Sequence, residues 1–334
     1  MNLSHELEVA LRAVHKAASV CVSIRSSSAC EAAISKQDRS PVTIADFGSQ
    51  AVIIRELLQA FPEAAIVAEE DSGEMEPLRG TELGQQMVQA VQAVAPDASW
   101  ERITTWVDRG NATGGAQGRF WTIDPIDGTK GFLRNEQYAV ALALIDNGMP
   151  VLGVLACPNY PFGGFGVEDA QSCGVVFAAV QGMGARELPL GQLDWEQAVP
   201  IGVSKLTSAG QARLCESVES GHSAHGAAAA IAQHLGISEP SLRMDSQCKY
   251  GAVARGDASI YLRLPTSESY REKIWDHAAG WRVTREAGAE VTDVQGKSLD
   301  FSLGHTLAQN RGIVAAPASI HAAVIAAVQQ ELEG

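Results

Sequence analysis

The stretch WTIDPIDGTKGF, residues 121–132, joins a predicted strand to an acidic turn. The strand delivers Asp124, Pro125 prevents the chain from continuing as a helix, and Asp127 follows three positions after Asp124. Two carboxylates this close can face one point, and the backbone carbonyl of Ile126 between them can face it too. Hard divalent cations prefer such oxygen ligands. An ordinary Asp-Pro and Asp-Gly turn has the same residues, so a metal site needs further acidic residues elsewhere in the chain.

Three further acidic residues lie at the ends of predicted elements. Glu69 follows the buried strand predicted for residues 64–68, and Asp46 lies at the head of the helix predicted for about 45–60. Asp276, in IWDHAAG, begins a predicted helix of small residues. An acidic residue at a helix start often only caps the helix or interacts with its dipole. The combination with the acidic turn favours a shared metal site over separate caps.

Strands and helices mix along the whole chain, which favours an α+β or layered α/β sandwich over a strict βαβ array. The clearest strand pair is a β-hairpin over 138–145 and 150–156, because the Asp-Asn-Gly turn at 146–148 joins them. The other predicted strands cover residues 120–123, 174–180, 199–203, 258–264 and 313–316. The other predicted helices are a first one with Ser4 as its N-cap, then 81–94, 225–235, 275–287 and 318–332.

Composition and charge exclude several classes of protein. The formal charge of −14 argues against a protein that coats nucleic acid, since such binding needs a basic face. The six cysteines include no CxxC pair, which argues against a zinc framework. The first residues lack the pattern of a secretory signal, and no apolar run approaches the roughly 20 residues of a membrane span. We therefore expect a soluble, cytoplasmic protein that binds neither nucleic acid polymers nor membranes.

Four segments carry a family resemblance. They are SPVTIADFGSQAVI (40–53), VAEEDS (67–72), WTIDPIDGTKGFLRNEQYAVALAL (121–144) and KIWDHAAGWRVTREAGAEVTD (273–293). In this order and at this spacing they resemble the inositol-monophosphatase-like superfamily of metal-dependent, lithium-sensitive phosphatases. The DPIDGTKGF and WDHAAG forms are most similar to its 3′(2′),5′-bisphosphate nucleotidase branch. Asn135 stands where that family commonly has Gly, and Asn tolerates the left-handed conformation that such a turn needs.

The resemblance implies a metal site and a nucleophile. It implies two or three Mg²⁺ ions, held by the carboxylates of Glu69, Asp124, Asp127 and Asp276 and by the backbone carbonyl of Ile126. Asp46 and Thr129 would hold and deprotonate the attacking water. This agrees with the chemistry of phosphate monoesters, whose hydrolysis is very slow without a catalyst and needs an activated water and charge neutralisation.

A second pair of segments bears on the substrate. SVESGHSAHG (217–226) and DSQCKYGAVARGDASIYLRLP (245–265) resemble the nucleotide-binding segments of the bisphosphate nucleotidases. The resemblance implies substrate contacts by Thr129, His225, Ser246, Lys249, Arg263 and Asp276, with His222 left open as the alternative to His225. Lys249 and Arg263 would form a site for a second phosphate. We expect the two cations to lie about one domain away from the metal-binding acids.

These inferences combine into one predicted enzyme. The length predicts about two domains, and we expect an N-terminal α+β lobe over 1–160 with most metal ligands. A C-terminal α/β lobe over 161–334 would carry the last ligand, Asp276, and the nucleotide contacts. The resemblance implies a monomeric phosphatase of sulfur assimilation that converts 3′-phosphoadenosine 5′-phosphate to AMP and phosphate, and that also accepts the sulfated analogue.

Two alternatives stay open. An inositol polyphosphate 1-phosphatase would share every metal ligand, and the segments at 217–226 and 245–265 favour a nucleotide over it. A catalytically inactive sensor of nucleotide or metal is an alternative from another class. Such a sensor should have lost at least one of the acidic residues or Thr129, and all of them are present.

Overall fold

The computed structural model describes residues 2–26, 34–35, 41–42, 44–164, 174–218, 225–265, 267 and 269–333, with only the backbone described at 34–35, 41–42, 225 and 333. Its helices are α1 (Ser4–Arg25), α2 (Ile44–Ala60), α3 (Glu82–Gln92), α4 (Trp100–Asp108), α5 (Thr129–Leu133), α6 (His225–Leu235), α7 (Cys248–Arg255), α8 (Ala278–Glu286) and α9 (His321–Glu333). Its strands are β1 (Ile34–Ser35), β2 (Pro41–Val42), β3 (Ala65–Ala68), β4 (Arg119–Asp127), β5 (Ala139–Asp146), β6 (Met149–Cys157), β7 (Val175–Val180), β8 (Ala185–Pro189), β9 (Val199–Ile201), β10 (Leu214–Glu216), β11 (Leu242–Arg243), β12 (Ile260–Arg263), β13 (Ala289–Thr292) and β14 (Ile313–Pro317).

Two large sheets organise the described chain. The larger sheet has the strand order β3-β4-β5-β6-β7-β8-β9, and only its β3–β4 pair is parallel. The smaller sheet has the order β11-β10-β12-β14-β13, with β10 parallel to both of its neighbours. Helices α1 and α2 pack on one face of the larger sheet, α7 and α8 lie between the two sheets, and α6 and α9 cover the far side of the smaller sheet. The layered α/β sandwich predicted from the sequence is therefore confirmed.

Strand β5 shows why the two sheets stack. Val140, Leu142 and Leu144 point to the core beneath α1 and α2, while the alternating alanines of the same strand face the layer of α7 and α8. Covering a strand on both faces explains its continuous apolar sequence. Small residues on the second face let α8 approach closely, because a Cβ on Gly153 of β6 would lie 2.5 Å from the carbonyl oxygen of Ala279.

The tight turns follow the sequence. Asn147 and Gly148 both have positive φ, 50° and 76°, as a two-residue hairpin turn between β5 and β6 requires. The predicted hairpin is therefore confirmed. Asn135 also adopts a left-handed conformation, with φ of 62°, which confirms the role expected for it after α5.

Several boundaries differ from the sequence-based predictions. Strand β4 continues through Asp127 instead of ending at residue 123, with an irregular register between Asp124 and Asp127. Helix α8 begins two residues after Asp276, so that residue lies in the preceding turn. Ser4 is the first helical residue of α1 rather than its N-cap, and its N–H donates to Oδ1 of Asn2 at 3.1 Å.

The smaller differences concern elements that the sequence did not predict. They are α4, α5, α7, β1, β2, β8, β10, β11 and β13. By sheet membership, the chain passes from the larger to the smaller sheet between Ile201 and Leu214, while the division into lobes at residue 160 stays a prediction. Within the described ranges, every helix is too short or too polar to cross a bilayer.

Candidate active site

The acidic turn opens onto a cavity of about 200 Å³. Its walls are the end of β4, the start of α5, the loop that leads into α7, and the end of β12. The residues predicted from the sequence that line this cavity are Glu69, Asp124, Ile126, Asp127, Thr129, Ser246, Lys249, Arg263 and Asp276. The fold therefore brings together segments that are more than 200 positions apart in the chain.

Asp124 is the most deeply placed of the acidic residues that line the cavity. It lies on β4 and is 2% exposed, and its Oδ1 atom has no hydrogen-bond partner among the residues that the structure describes. Burial raises the pKa of Asp124 well above its ordinary value, and the negative charges of Glu69 and Asp127 raise it further. A buried carboxylate oxygen without a donor, among other carboxylates, is an arrangement that a bound cation would stabilise.

Asp127 and Asp276 complete the acidic side of the cavity. Burial raises the pKa of Asp127, even though the cations of Lys249 and Arg263 act in the opposite direction. Burial likewise raises the pKa of Asp276 to about 7. Oδ2 of Asp127 accepts the backbone N–H of Gln247 at 2.7 Å, which fixes that carboxylate against the start of α7.

The donor set of this acidic cluster fits a hard divalent cation. Carboxylates and the backbone carbonyl of Ile126 supply oxygen atoms only, which Mg²⁺ prefers. Glu272, Asp276 and His277 also bring one possible ligand atom each within 4.8 Å of one another. The Glu272 carboxylate, however, pairs with Arg263 Nε at 2.8 Å and with His277 Nε2 at 3.2 Å. Of these three residues, Asp276 is the one that lines the cavity.

Asp46 and Thr129 approach the acidic cluster from two helices. Asp46 is buried in the first turn of α2, and its charge contributes to the raised pKa of Asp124. The Thr129 hydroxyl, at the start of α5, donates to the carbonyl of Ile126 at 3.2 Å. Ser49 of α2 donates to the carbonyl of Pro125 at 2.8 Å and so ties α2 to the acidic turn. Asp46 itself is not one of the lining residues.

The two cations line the same cavity as the acids. The expectation that they lie about one domain away is therefore wrong. Stacking of the two sheets places the N-terminus of α7 and the end of β12 against the acidic turn. Lys249 is 3% exposed, and burial lowers its pKa. Its Nζ donates to the carbonyl of Met244 at 3.4 Å and lies 5.3 Å from the ring centre of Tyr261.

A close backbone contact joins the two walls of the cavity. Gly128 and Ser246 both have positive φ, 87° and 70°. A Cβ on Gly128 would lie 2.8 Å from the Cβ of Ser246, so only glycine fits at position 128 without a shift. The Ser246 hydroxyl accepts the N–H of Cys248 at 3.2 Å. The side chain of His225 and all of His222 lie outside what the structure describes.

Residues 2–333 match the family model described as the inositol monophosphatase family. The chain belongs to this family. It is 42% identical to the 3′(2′),5′-bisphosphate nucleotidase of Emericella nidulans, with 100% of both chains covered. It is 41% identical to the protein of the same name from Schizosaccharomyces pombe, covering 98% of this chain and 96% of the relative. The resemblance stated from the sequence is confirmed.

Solved structures agree with the layered fold of this inositol monophosphatase family member. The inositol monophosphatase of Anabaena is 22% identical, with a TM-score of 0.64 over 99% of this chain and 97% of that one. The Thermotoga maritima enzyme is 20% identical, with a TM-score of 0.65 over 99% and 98% of the two chains. At this identity the likeness concerns the fold alone.

Other lining residues of this family member were not predicted from the sequence. They include Ser217, Asp245, Gln247, Tyr261 and Tyr270. Four of them stand inside the segments quoted for the nucleotide resemblance, which is the signal that could have identified them. Tyr270 had no such signal. Its hydroxyl oxygen lies 3.4 Å from Nη2 of Arg263.

Proposed function

We propose that this family member is a Mg²⁺-dependent phosphatase that removes the 3′-phosphate of 3′-phosphoadenosine 5′-phosphate and of its sulfated analogue. One observation carries the proposal: a single cavity is lined both by a cluster of carboxylates and by two cations, the buried Lys249 and the part-buried Arg263. Such a cavity suits a ligand with two separated anionic groups. The names of the relatives at about 40% identity support the same substrate class.

The carboxylates would hold the metal. We assign this role to Glu69, Asp124, Asp127, Asp276 and the carbonyl of Ile126, with two or three Mg²⁺ ions bound. The observation that favours a cation there is that Oδ1 of Asp124 has no hydrogen-bond partner in the described part of the chain. When bound, the metal activates a water molecule and neutralises charge on the phosphoryl oxygens.

Asp46 and Thr129 would hold the attacking water. Because the Thr129 hydroxyl donates its proton to the carbonyl of Ile126, its oxygen can still accept a hydrogen bond from the water. The carboxylate of Asp46 is the base that would accept the proton. The water oxygen would form a new bond to phosphorus as the bond to the 3′ oxygen breaks, and the 3′ oxygen would take up a proton from solvent, which yields AMP and inorganic phosphate.

The cationic part of the cavity lining would bind the rest of the nucleotide. Lys249 and Arg263 provide positive charge for the 5′-phosphate, in a chain whose formal charge is −14. Ser246 and His225 are the other proposed contacts, with Thr129 and Asp276 at the reacting phosphate. We place this chemistry in the cytoplasm, in sulfur assimilation, and expect a monomer. From the family resemblance, lithium should inhibit at concentrations at which potassium does not.

Phosphate release tests the proposal directly. The purified protein is given 3′-phosphoadenosine 5′-phosphate, its sulfated analogue or inositol 1,4-bisphosphate, each with and without Mg²⁺. We expect release from the two nucleotides, only with Mg²⁺, and little from the inositol phosphate. Preferential release from inositol 1,4-bisphosphate would favour an inositol polyphosphate 1-phosphatase. Binding of the nucleotide without any phosphate release would identify an inactive sensor instead.

A further inference from the structure

Arg263 forms an ion pair with the carboxylate of Glu272, which is not part of the cavity lining. Its Nε pairs with Oε2 of Glu272 at 2.8 Å. Arg263 lines the cavity, but Glu272 is 5% exposed and is absent from the cavity wall. The pairing uses the Nε–H, and a guanidinium carries four further N–H donors on its two terminal nitrogens. Those donors can meet an anion in the cavity while the ion pair stays intact.

Glu272 is itself fixed by a buried chain of hydrogen bonds. The same Oε2 atom lies 3.2 Å from Nε2 of His277, and Nδ1 of that ring lies 2.9 Å from the hydroxyl of Tyr250. With the imidazole proton on Nε2, Tyr250 donates to His277 and His277 donates to Glu272. Tyr250 is fully buried and its ring packs closely against Gly280, where a Cβ would lie 2.2 Å from Cδ2 of the ring.

We propose that Glu272 is a positioning residue for Arg263: anchored by His277 and Tyr250, it holds the guanidinium toward the phosphate that is not cleaved. The inference rests on the proposed function, because it assigns Arg263 to the second phosphate of a bisphosphorylated nucleotide. An arginine has a long side chain with many rotamers, and fixing it before binding removes the ordering cost from the binding step. Glu272 thereby sets specificity without touching the substrate.

A pair of substrates isolates this role. The proposed substrate, 3′-phosphoadenosine 5′-phosphate (adenosine 3′,5′-bisphosphate), carries both phosphates. Adenosine 3′-monophosphate carries only the one that is cleaved. In Glu272→Gln the charge that orients Arg263 is lost while the size of the side chain is kept. We expect kcat/KM for the bisphosphate to fall about tenfold, through KM rather than kcat. For the monophosphate, kcat/KM should change little. The ratio of kcat/KM for the bisphosphate to kcat/KM for the monophosphate therefore falls.

Glu187→Gln is the matched control. Glu187 is also 5% exposed and pairs with an arginine, Arg255, at 2.8 Å, but neither residue lines the cavity. This variant should show a comparable loss of thermal stability with an unchanged ratio between the two substrates. Glu272→Asp retains the charge and should recover part of the ratio, and it also serves if Glu272→Gln does not fold. In an Arg263→Ala background, Glu272→Gln should have no further effect on the ratio.

The outcomes separate the alternatives. Equal losses on both substrates, or an unchanged ratio in a folded Glu272→Gln protein, would overturn the positioning role. A large rise in the Mg²⁺ concentration that gives half-maximal activity would also overturn it, since that would mark Glu272 as a metal ligand. Failure of the wild-type protein to release phosphate from either substrate contradicts the proposed function itself, and this result is obtained before any variant is compared.

Discussion

The surroundings of Asp124 indicate what the acidic cluster binds. A carboxylate that is buried, without a donor on Oδ1 within the described chain, and next to other carboxylates is unfavourable for folding. The pKa of Asp124 is raised because its charged form is disfavoured by burial and by the neighbouring carboxylates. Natural sequences keep such groups at functional sites, where a ligand offsets the cost. The acidic cluster is therefore better explained by a bound cation than by its contribution to the fold.

Replacing Asp124 tests the metal assignment. Asp124→Asn is nearly isosteric and removes one negative charge from a crowded cluster, so the fold should be kept and circular dichroism unchanged. We expect phosphate release to fall by at least about a hundredfold, the scale on which single charge-stabilising groups act in catalysis. Turnover close to that of the wild type at ordinary Mg²⁺ concentrations would contradict the assignment.

Lys249 allows a test of the cationic part of the cavity. Loss of its positive charge should weaken binding of the second phosphate more than it slows the chemistry. A hydrogen bond to a charged group contributes about 1.5–3 kcal/mol, so Lys249→Ala should raise KM for the bisphosphate nucleotide roughly ten- to a hundredfold while kcat changes little. Because Lys249 is 3% exposed, Lys249→Met is the better-packed comparison. An unchanged KM in both variants would show that Lys249 has only a structural role.

At the scale of elements, local patterns in the sequence predicted those features that local physics determines. The β5–β6 hairpin was predictable because Asn147 and Gly148 accept positive φ at little cost. The continuation of β4 through Pro125 was not, since it depends on pairing with β5 and on an irregular register. Helix α4 was also missed. It is a short amphipathic helix that packs on α2, and the Ser99 N-cap and Glu101 in its first turn were local signals that could have predicted it.

The turn between β4 and α5 provides a prediction at this scale. Gly128 has φ of 87°, and an added Cβ would lie 2.8 Å from the Cβ of Ser246. Gly128→Ala should therefore destabilise the protein by about 1–3 kcal/mol and lower its activity, because the acidic turn and the loop before α7 must move apart. Urea unfolding and phosphate release measure the two effects.

Gly182 supplies the control for that experiment. It has a similar φ of 77°, but an added Cβ there has nothing within 4 Å. Gly182→Ala should cost only the backbone strain, about 1 kcal/mol, and leave activity intact. Equal effects of the two substitutions on stability and activity would show that crowding against Ser246 does not matter.

For the whole molecule, the sequence predicted which residues line the cavity better than it predicted their arrangement. The order and spacing of the four motifs were enough to name the acidic residues, and the segment 245–265 was enough to name the two cations. They could not show that the cations share the cavity of the acids, because that depends on how the smaller sheet stacks on the larger one. Tyr270 was also beyond prediction, since its position follows from the path of the loop after β12 rather than from a motif.

The acidic cluster should make stability depend on pH and on Mg²⁺. Asp276 has an ordinary pKa of 3.8 and a pKa of about 7 in the folded chain, so the folded state binds its proton more tightly. Its favourable contribution is complete below about pH 4 and is lost as the pH rises through 7. In EDTA, we expect the free energy of unfolding to fall between about pH 5 and about pH 8.5. Mg²⁺ should restore it at the higher pH.

Asp276→Asn separates this effect from the rest of the chain. Without the titrating group, the unfolding free energy in EDTA should fall less over the same pH interval, and Mg²⁺ should raise the melting temperature less than in the wild type. Urea titrations at the two pH values, with and without Mg²⁺, measure both quantities. An identical pH response in the two proteins would contradict the raised pKa of Asp276.

Gln247 links three parts of the molecule at once. Its backbone N–H donates to Asp127, its side-chain Nε2 donates to the carbonyl of Trp275 at 2.9 Å, and its Oε1 accepts the N–H of Gly280 at 3.0 Å. The amide protons of Gln247 and Gly280 are therefore protected by contacts that cross from one segment to another. In hydrogen–deuterium exchange we expect both to open together, as one cooperative unit, and Gln247→Ala to speed exchange at Gly280 selectively. The acidic turn and the loop before α7 would then move as one rigid body. A substrate would bind to a cavity whose shape is already fixed.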